Sequence, residues 1–371
     1  LAAAVFLAWT HAESSLQAQP PKGKDAAKPG DKAGAKPGEK PGEKPGSKAD
    51  MKDRDDTREP INCDTGDGVK LVGDLYPAGK AKDARSPTVI LLHAVGPNHS
   101  GASRRDFGKF PERLAAEGFN VVTFDFRGHG DSKIVDPARY FTVYPYTGKG
   151  RPTAKIDAKE FRDPRQYALM VNDLIAIKVW LNKMNNDRRL SSTNVALVGV
   201  EQGAAVGMLW LVNEFRDPNR PKEFSETRIG PPRKFEGEDV AAVVWISMNG
   251  MLGNIRLDVI SCESWLTLLR ERSVNTYAIF GETDVASKTF WDRALKWIKP
   301  ERDKDLYKLT GTKRIKNTKL TGTKLLDNET FGVQKNIIDY LEDALMKSGR
   351  QWQMHNGNTT ATIANLRTIG L

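Results

Sequence analysis

The stretch LVGVEQGAAVG, residues 197–207, sets Glu201 between Gly199 and Gly203, with Gln202 after it and the small Ala204 and Ala205 beyond. An apolar run that meets a Gly-x-x-x-Gly unit and continues into an apolar helical pattern is a strand, a tight turn and a helix. The glycines let such a turn pass close to neighbouring strands, so its central side chain projects past the end of the sheet. A group in that place can attack an electrophile or take a proton, and the N–H of the next residue can hold developing negative charge. Here the group is a carboxylate. A second one, Asp284, lies in FGETD, residues 280–284, after another apolar run. An imidazole would complete a nucleophile, base and acid set. The five histidines are His11, His93, His99, His129 and His355, and none falls between Asp284 and the helical pattern that starts near Gly332.

These residues need a frame. GVKLVGDLYPA alternates as a half-buried strand does, TVILLHAV and FNVVTFDF read as buried strands, and Phe107, Phe110 and Leu114 lie at helical spacing before Gly118. Asp163 and Pro164 cap a long helix with an apolar stripe of Met170, Leu174, Ile177 and Leu181. NVALVGV, a helix over about 202–214, DVAAVVWIS, a helix over 262–270, VNTYAIFG and a helix over 290–297 follow. The two copies of KLTGTK, in YKLTGTK and TKLTGTK, read as strands, and Val333, Ile337, Leu341 and Leu345 mark a last helix. Strands alternating with helices after an antiparallel pair predict a mainly parallel central sheet with helices on both faces, whose chemistry gathers at the strands' carboxyl ends.

Four strand-end segments in order, LLHAVGPN, FDFRGHGDS, GVEQG and FGETD, give the chain a resemblance to the α/β-hydrolase superfamily over nearly all of residues 62–348. The resemblance implies the α/β-hydrolase fold, with Glu201 in the nucleophile slot and Asp284 in the acid slot. It implies an oxyanion hole from the backbone of Val95 and Gln202. The loop LTGTKLLD is similar to the family's histidine loop, with Thr321 in the histidine's place, or Lys324 in another register. So a carboxylate replaces the serine and the histidine is absent. His93 and His129 are motif residues that serve the turns around the site.

A carboxylate at the elbow narrows the chemistry. An ester formed on Glu201 would need a base to clear it, and a positioned base contributes roughly 10²- to 10⁴-fold. Two carboxylates about 7 Å apart repel by about 2 kcal/mol at an effective dielectric near 20. Lys324, water, a cation or a proton on Glu201 would offset this, and the favoured arrangement is a Glu201 held by hydrogen bonds in a closed site. The expected role is accordingly binding or scaffolding, with an ester or amide hydrolase working through Glu201 and Asp284 as the alternative. RYFTVYPYTG, with Tyr140, Phe141, Tyr144 and Tyr146, is either an aromatic roof over the cleft or a surface loop packed on itself.

The ends of the chain are not core-forming. Residues 1–18 read as the remainder of an export signal, with small residues such as Ala12 and Ala18 suited to cleavage. Residues 19–60 form a linker with a recurring Lys-Pro-Gly unit and near-balanced charge. The folded domain is assigned to 61–349 and a polar tail to 350–371. The expected location is periplasmic or extracellular, with no transmembrane anchor. Residues 293–324 carry eleven basic and three acidic residues, a patch suited to an anionic surface; the charge pattern points to no specific nucleic acid. A small molecule or a cell-envelope polymer is the expected partner, and no cofactor or metal is implied. Cys63 and Cys262 are too few for a disulfide framework and are read as separate.

Overall fold

A computed structural model describes residues 58–79, 85–143, 154–161, 163, 165–216, 236–257, 259–299, 308–355 and 363–364. The linker up to Thr57, Tyr144, Tyr146 and the middle of the basic patch lie outside the described residues. Among those described, no helix is long and apolar enough to cross a membrane.

The strands are β1 (Glu59–Asp64), β2 (Val69–Tyr76), β3 (Thr88–Leu92), β4 (Asn120–Phe124), β5 (Ile134–Val135), β6 (Val195–Val200), β7 (Val240–Ile246), β8 (Met251–Leu252), β9 (Ile255–Arg256), β10 (Asn275–Gly281) and β11 (Gly311–Ile315). The main sheet runs β1-β2-β4-β3-β6-β7-β10-β11, with β5 against β2, while β8 and β9 form a separate hairpin. β1 and β2 pair antiparallel, β2 meets β4 antiparallel, and every pair from β4 to β11 is parallel. Because β1 opens at Glu59, the last two residues assigned to the linker belong to the sheet: Glu59 pairs with Leu75 and Pro60 with Asp74.

The helices are α1 (Phe110–Ala116), α2 (Pro137–Val143), α3 (Arg165–Ala168), α4 (Val171–Asn186), α5 (Gln202–Arg216), α6 (Val259–Glu271), α7 (Val285–Ile298), α8 (Gly322–Asp327) and α9 (Val333–Leu341). Continuous apolar strands such as VALVGV bury both faces of the sheet, as a parallel sheet with helices on each side requires. Two apolar clusters result. One holds Leu174, Ile177, Leu181, Leu209 and Trp245; the other holds Phe107, Phe110, Leu114, Ile337 and Leu341.

Two expectations change. The long helix is broken into α3 and α4, where the Asn172 and Asp173 N–H groups donate to the carbonyls three residues back, those of Leu169 and Met170. The Asn172 and Asp173 side chains are drawn inward at that point, to Asp67 and Arg127. The second KLTGTK is a loop that leads into α8. The first copy finds the free edge of β10 and supplies Gly311 to Lys313 of β11, whereas Gly322 of the second turns left-handed (φ 56°) and starts a helix.

The segment assigned as a tail also joins the domain. Arg350 Nη1 donates to the Glu238 carbonyl, Asn185 Nδ2 to the Gln353 carbonyl and the His355 N–H to Asn186 Oδ1, at 2.7, 2.9 and 2.8 Å. Farther on, the Ala364 N–H donates to Asn172 Oδ1 at 2.7 Å.

Candidate functional site at the strand ends

β6 ends at Val200, and Glu201 follows with φ 50°, a left-handed conformation rare for a side chain of this kind. Its N–H donates to the Ile246 carbonyl at 2.7 Å, which fixes the turn level with the end of β7. A Cβ at Gly203 would overlap the His93 carbonyl, and one at Gly199 would come within 2.6 Å of Ala204 Cα. Only glycine fits at either place, so GVEQG folds as a nucleophile elbow with a carboxylate at its apex.

The partner of that carboxylate is a residue absent from the sequence-based assignment. His99 closes a 3₁₀ turn, Pro97–His99, in the loop after β3, and its Nε2 lies 2.6 Å from Glu201 Oε2. The hydrogen bond to Glu201 raises the His99 pKa above its usual value, and partial burial opposes the rise only in part. The other carboxylate oxygen faces Gly322, where a Cβ would overlap Oε1. The Gly322 N–H in turn donates 3.0 Å to Ser247 Oγ at the end of β7. Ser247 is buried and, like Glu201, has a positive φ, of 52°. The loop that holds Thr321 and Lys324 therefore reaches the elbow through Gly322. Thr321 itself is exposed and serves as the N-cap residue of α8 without a capping bond from its side chain, and Lys324 is exposed on that helix.

Asp284, expected in the acid slot, follows β10 and is the N-cap residue of α7. Its carboxylate accepts the Ser287 N–H at 3.0 Å and caps α7. The loop behind it is tied to the histidine loop, with Thr283 Oγ1 donating to the Thr318 carbonyl at 2.9 Å and the Asn317 N–H to Glu282 at 3.0 Å. The charge opposite Glu201 is thus a histidine from the β3 loop, and Asp284 is engaged with its own helix.

Val95 and Gln202 are brought together. Val95 is fully buried after β3, and at the next residue, Gly96 (φ 119°), a Cβ would come within 2.7 Å of Gln202 Oε1. The Gln202 side chain continues to the β8–β9 hairpin, accepting the Gly253 N–H at 2.6 Å and donating to the Gly253 carbonyl at 3.3 Å.

His93 and His129 serve the frame. His93 Nδ1 donates to the Ala94 carbonyl at 2.7 Å and its Nε2 accepts the Phe126 N–H at 3.0 Å. Burial, helped by the nearby His129, pushes its pKa down to about 3, so it is neutral at ordinary pH. His129, also lowered by burial, bonds through Nδ1 to the Arg127 carbonyl at 3.0 Å. The FDFRGHGDS turn is organised around two buried ion clusters. Asp125 accepts the Arg104 N–H at 2.7 Å and the Asp131 N–H at 2.8 Å and pairs with the Arg104 guanidinium. Arg127 lies between Asp67, at 2.6 Å, and Asp173, at 2.7 Å, all three out of contact with solvent. Tyr140 is buried in the core beside Phe141, so this part of the aromatic segment is packed structure.

His355 folds back to the opposite end of the sheet. Its Nε2 lies 3.0 Å from Asp239 and 3.1 Å from Glu236, the residues that lead into β7. These three could in principle gather a metal, their ligand atoms all lying within 4.8 Å of one another. The Lys178 ammonium already supplies the positive charge there, 2.7 Å from Asp239 and 3.0 Å from Glu236. Cys63 lies in β1 and Cys262 in α6, with no disulfide between them.

Neither a family model nor a curated protein matches the sequence. Among solved structures the chain is similar to the α/β hydrolase GrgF from Penicillium sp. sh18 (13% identity, TM-score 0.47, 78% of this chain and 99% of that one). It is also similar to a structure from work on two fungal esterases of Rhizomucor miehei (11%, 0.47, 79% and 85%). A third is the esterase EaEST of Exiguobacterium antarcticum (14%, 0.42, 76% and 98%). At these levels the overlap does not carry the assignment; the topology and the turn do. An antiparallel start, a parallel run in the order β4-β3-β6-β7-β10-β11 and a left-handed elbow after β6 make this an α/β-hydrolase-fold protein.

Proposed function

We propose that this chain is a hydrolase-fold protein that works by binding, and that serine-type catalysis is absent from it. The observation that carries the reading is the placement of the Glu201 carboxylate. One of its oxygens is paired with His99 and the other lies against Gly322, in the space that a triad imidazole from the 318–324 loop would need. No hydroxyl stands at the elbow, and a carboxylate already bonded to an imidazole is a weaker nucleophile than a free one. In line with residues 1–60, the protein is read as exported and tethered by its linker, with a small molecule or an envelope polymer as partner and residues 293–324 facing an anionic surface. Fractionation of native cells checks the location.

One observation favours a second reading. The side chain of His99 is 35% exposed while its Nε2 is held by Glu201, an arrangement in which a carboxylate orients an imidazole that could take a proton from water. The two readings separate in one assay. A series of p-nitrophenyl esters and a fluorophosphonate probe should give no saturable turnover and no label with the wild-type protein. Saturable hydrolysis that disappears in both Glu201→Gln and His99→Ala would overturn the binding reading and establish the water-activating pair.

A further inference from the structure

A cavity of about 450 Å³ opens between α6, α7 and the β8–β9 hairpin. α7 gives it Phe290, Arg293 and Trp297 from one face, at i, i+3 and i+7, and the hairpin gives Met251, Arg256 and Leu257. Gly250, at the base of the hairpin, has φ 72°, and a Cβ there would come within 2.7 Å of the Phe290 ring, so the backbone lies directly on that ring. The Leu257 N–H donates to the Gly250 carbonyl at 2.8 Å and closes the hairpin. The walls are mostly apolar and the volume suits a small ligand.

Among the described residues, the charged side chains that line the cavity are of one sign. Arg256 and Arg293 both line it and both are exposed, and no Asp or Glu is among its lining residues. Among the described residues neither guanidinium makes an ion pair with a carboxylate, although most arginines near the elbow do. Two unpaired guanidinium groups beside an apolar chamber suit a carboxylate, whose planar oxygens match their fork. The cavity is also joined to the elbow, since Gln202 holds Gly253, the turn of the same hairpin, by two hydrogen bonds.

We propose that this cavity is a binding site for an amphipathic carboxylate, with its apolar body against Phe290 and Trp297 and its carboxylate on Arg256 and Arg293. The assignment names the ligand class for a protein that works by binding, and in that respect it rests on the function proposed above.

The test uses the full chain with octanoate, octanol and octyl sulfate, each titrated by calorimetry and by tryptophan fluorescence, with Trp297→Phe to identify the reporting ring. Octanoate should bind saturably at one site and change the Trp297 signal. Arg256→Gln with Arg293→Gln should weaken octanoate tenfold or more and leave octanol unchanged. Ala286→Trp, which fills the chamber, should remove binding of both. Both arginines are exposed, so a melting curve that matches wild type shows that the loss is one of recognition. No octanoate binding at millimolar concentration overturns the proposal, as does octanol binding as tightly as octanoate. Octyl sulfate binding as tightly as octanoate overturns the carboxylate assignment. Failure of octanoate with inert esters removes this ligand class alone, whereas turnover of esters removes the binding reading whether or not octanoate binds.

Discussion

His99 Nε2 and Glu201 Oε2 lie 2.6 Å apart, joining the loop after β3 to the elbow after β6. The two strands are parallel neighbours, so their carboxyl ends are adjacent, and His99, seven residues beyond Leu92 at the end of β3, brings its imidazole over the turn.

The His99 pKa should lie above the ordinary value near 6.5. In proton NMR titration its ring signals should move at higher pH than those of an exposed histidine. Glu201→Gln keeps the shape but removes the charge, and should return the midpoint toward or below the ordinary value. The sign for stability follows from the raised folded pKa. The contribution of the pair is fully present below the unfolded pKa and fades as pH rises through the folded one. A midpoint at or below 6.5 in the wild type would show that the pair does not form in solution.

Gly322→Ala should destabilise the protein by at least about 1–2 kcal/mol, because φ of 56° is left-handed. The added methyl would also overlap Glu201 Oε1. Urea unfolding in wild-type and Glu201→Ala backgrounds separates the two effects, since only the overlap vanishes when the carboxylate is gone. Equal penalties in both backgrounds would mean that Oε1 lies elsewhere.

Arg127→Met should cost about 3–5 kcal/mol, the range for removing one member of a buried ion pair. It removes the guanidinium from between Asp67 and Asp173, both out of contact with solvent. Thermal unfolding measures this, and the companion variant Arg105→Met, whose partner Asp131 is exposed, should change little. A small loss at Arg127 would show that the Arg-Gly-His-Gly turn is held by other contacts.

His355 should fasten residues 350–355 in a pH-dependent way. Burial opposes its charge, yet the bonds to Asp239 and Glu236 raise its pKa. Burial likewise opposes the charge on those two acids, while Lys178 and His355 hold both below the usual carboxylate range. The His355 contribution is therefore lost as pH rises through its folded pKa. That of the acids is present above the unfolded carboxylate pKa and is lost as pH falls through their folded values. Hydrogen exchange in 350–355 should be slow near pH 6 and faster above the histidine midpoint, with His355→Ala fast at both. An exchange rate that follows intrinsic chemistry alone would contradict the clasp.

Much of this architecture was legible because local periodicity and packing agree. VALVGV could only be a buried strand, and GVEQG needed its glycines for close approach to Ala204 and the His93 carbonyl. What the chain order concealed was contact between distant loops. No spacing links residue 99 to residue 201, and the imidazole's position depends on a 3₁₀ turn that Pro97 begins. The resemblance pointed to the loop of Thr321 and Lys324, and the residue of that loop set against Glu201 is Gly322, whose left-handed turn no spacing announced. Asp284 ends its strand where the resemblance expects an acid, and what the sequence did not spell out is that its carboxylate also caps α7. His355 lay beyond the last helix with no pattern to say where its chain would travel.

The two histidine clusters sit at opposite rims of one sheet. Glu201 follows β6 and Asp239 precedes β7, its parallel neighbour, so about 20 Å of strand separates them. Each cluster raises the proton affinity of its histidine in the folded chain. Folding near neutral pH therefore takes up protons at both rims at once, and a rise in pH through the folded pKa values releases them from both. Mild alkalinity should loosen the elbow loop and the carboxyl-terminal segment together. The common agent is the hydrogen-ion activity of the surroundings, which both rims read independently and with the same sign.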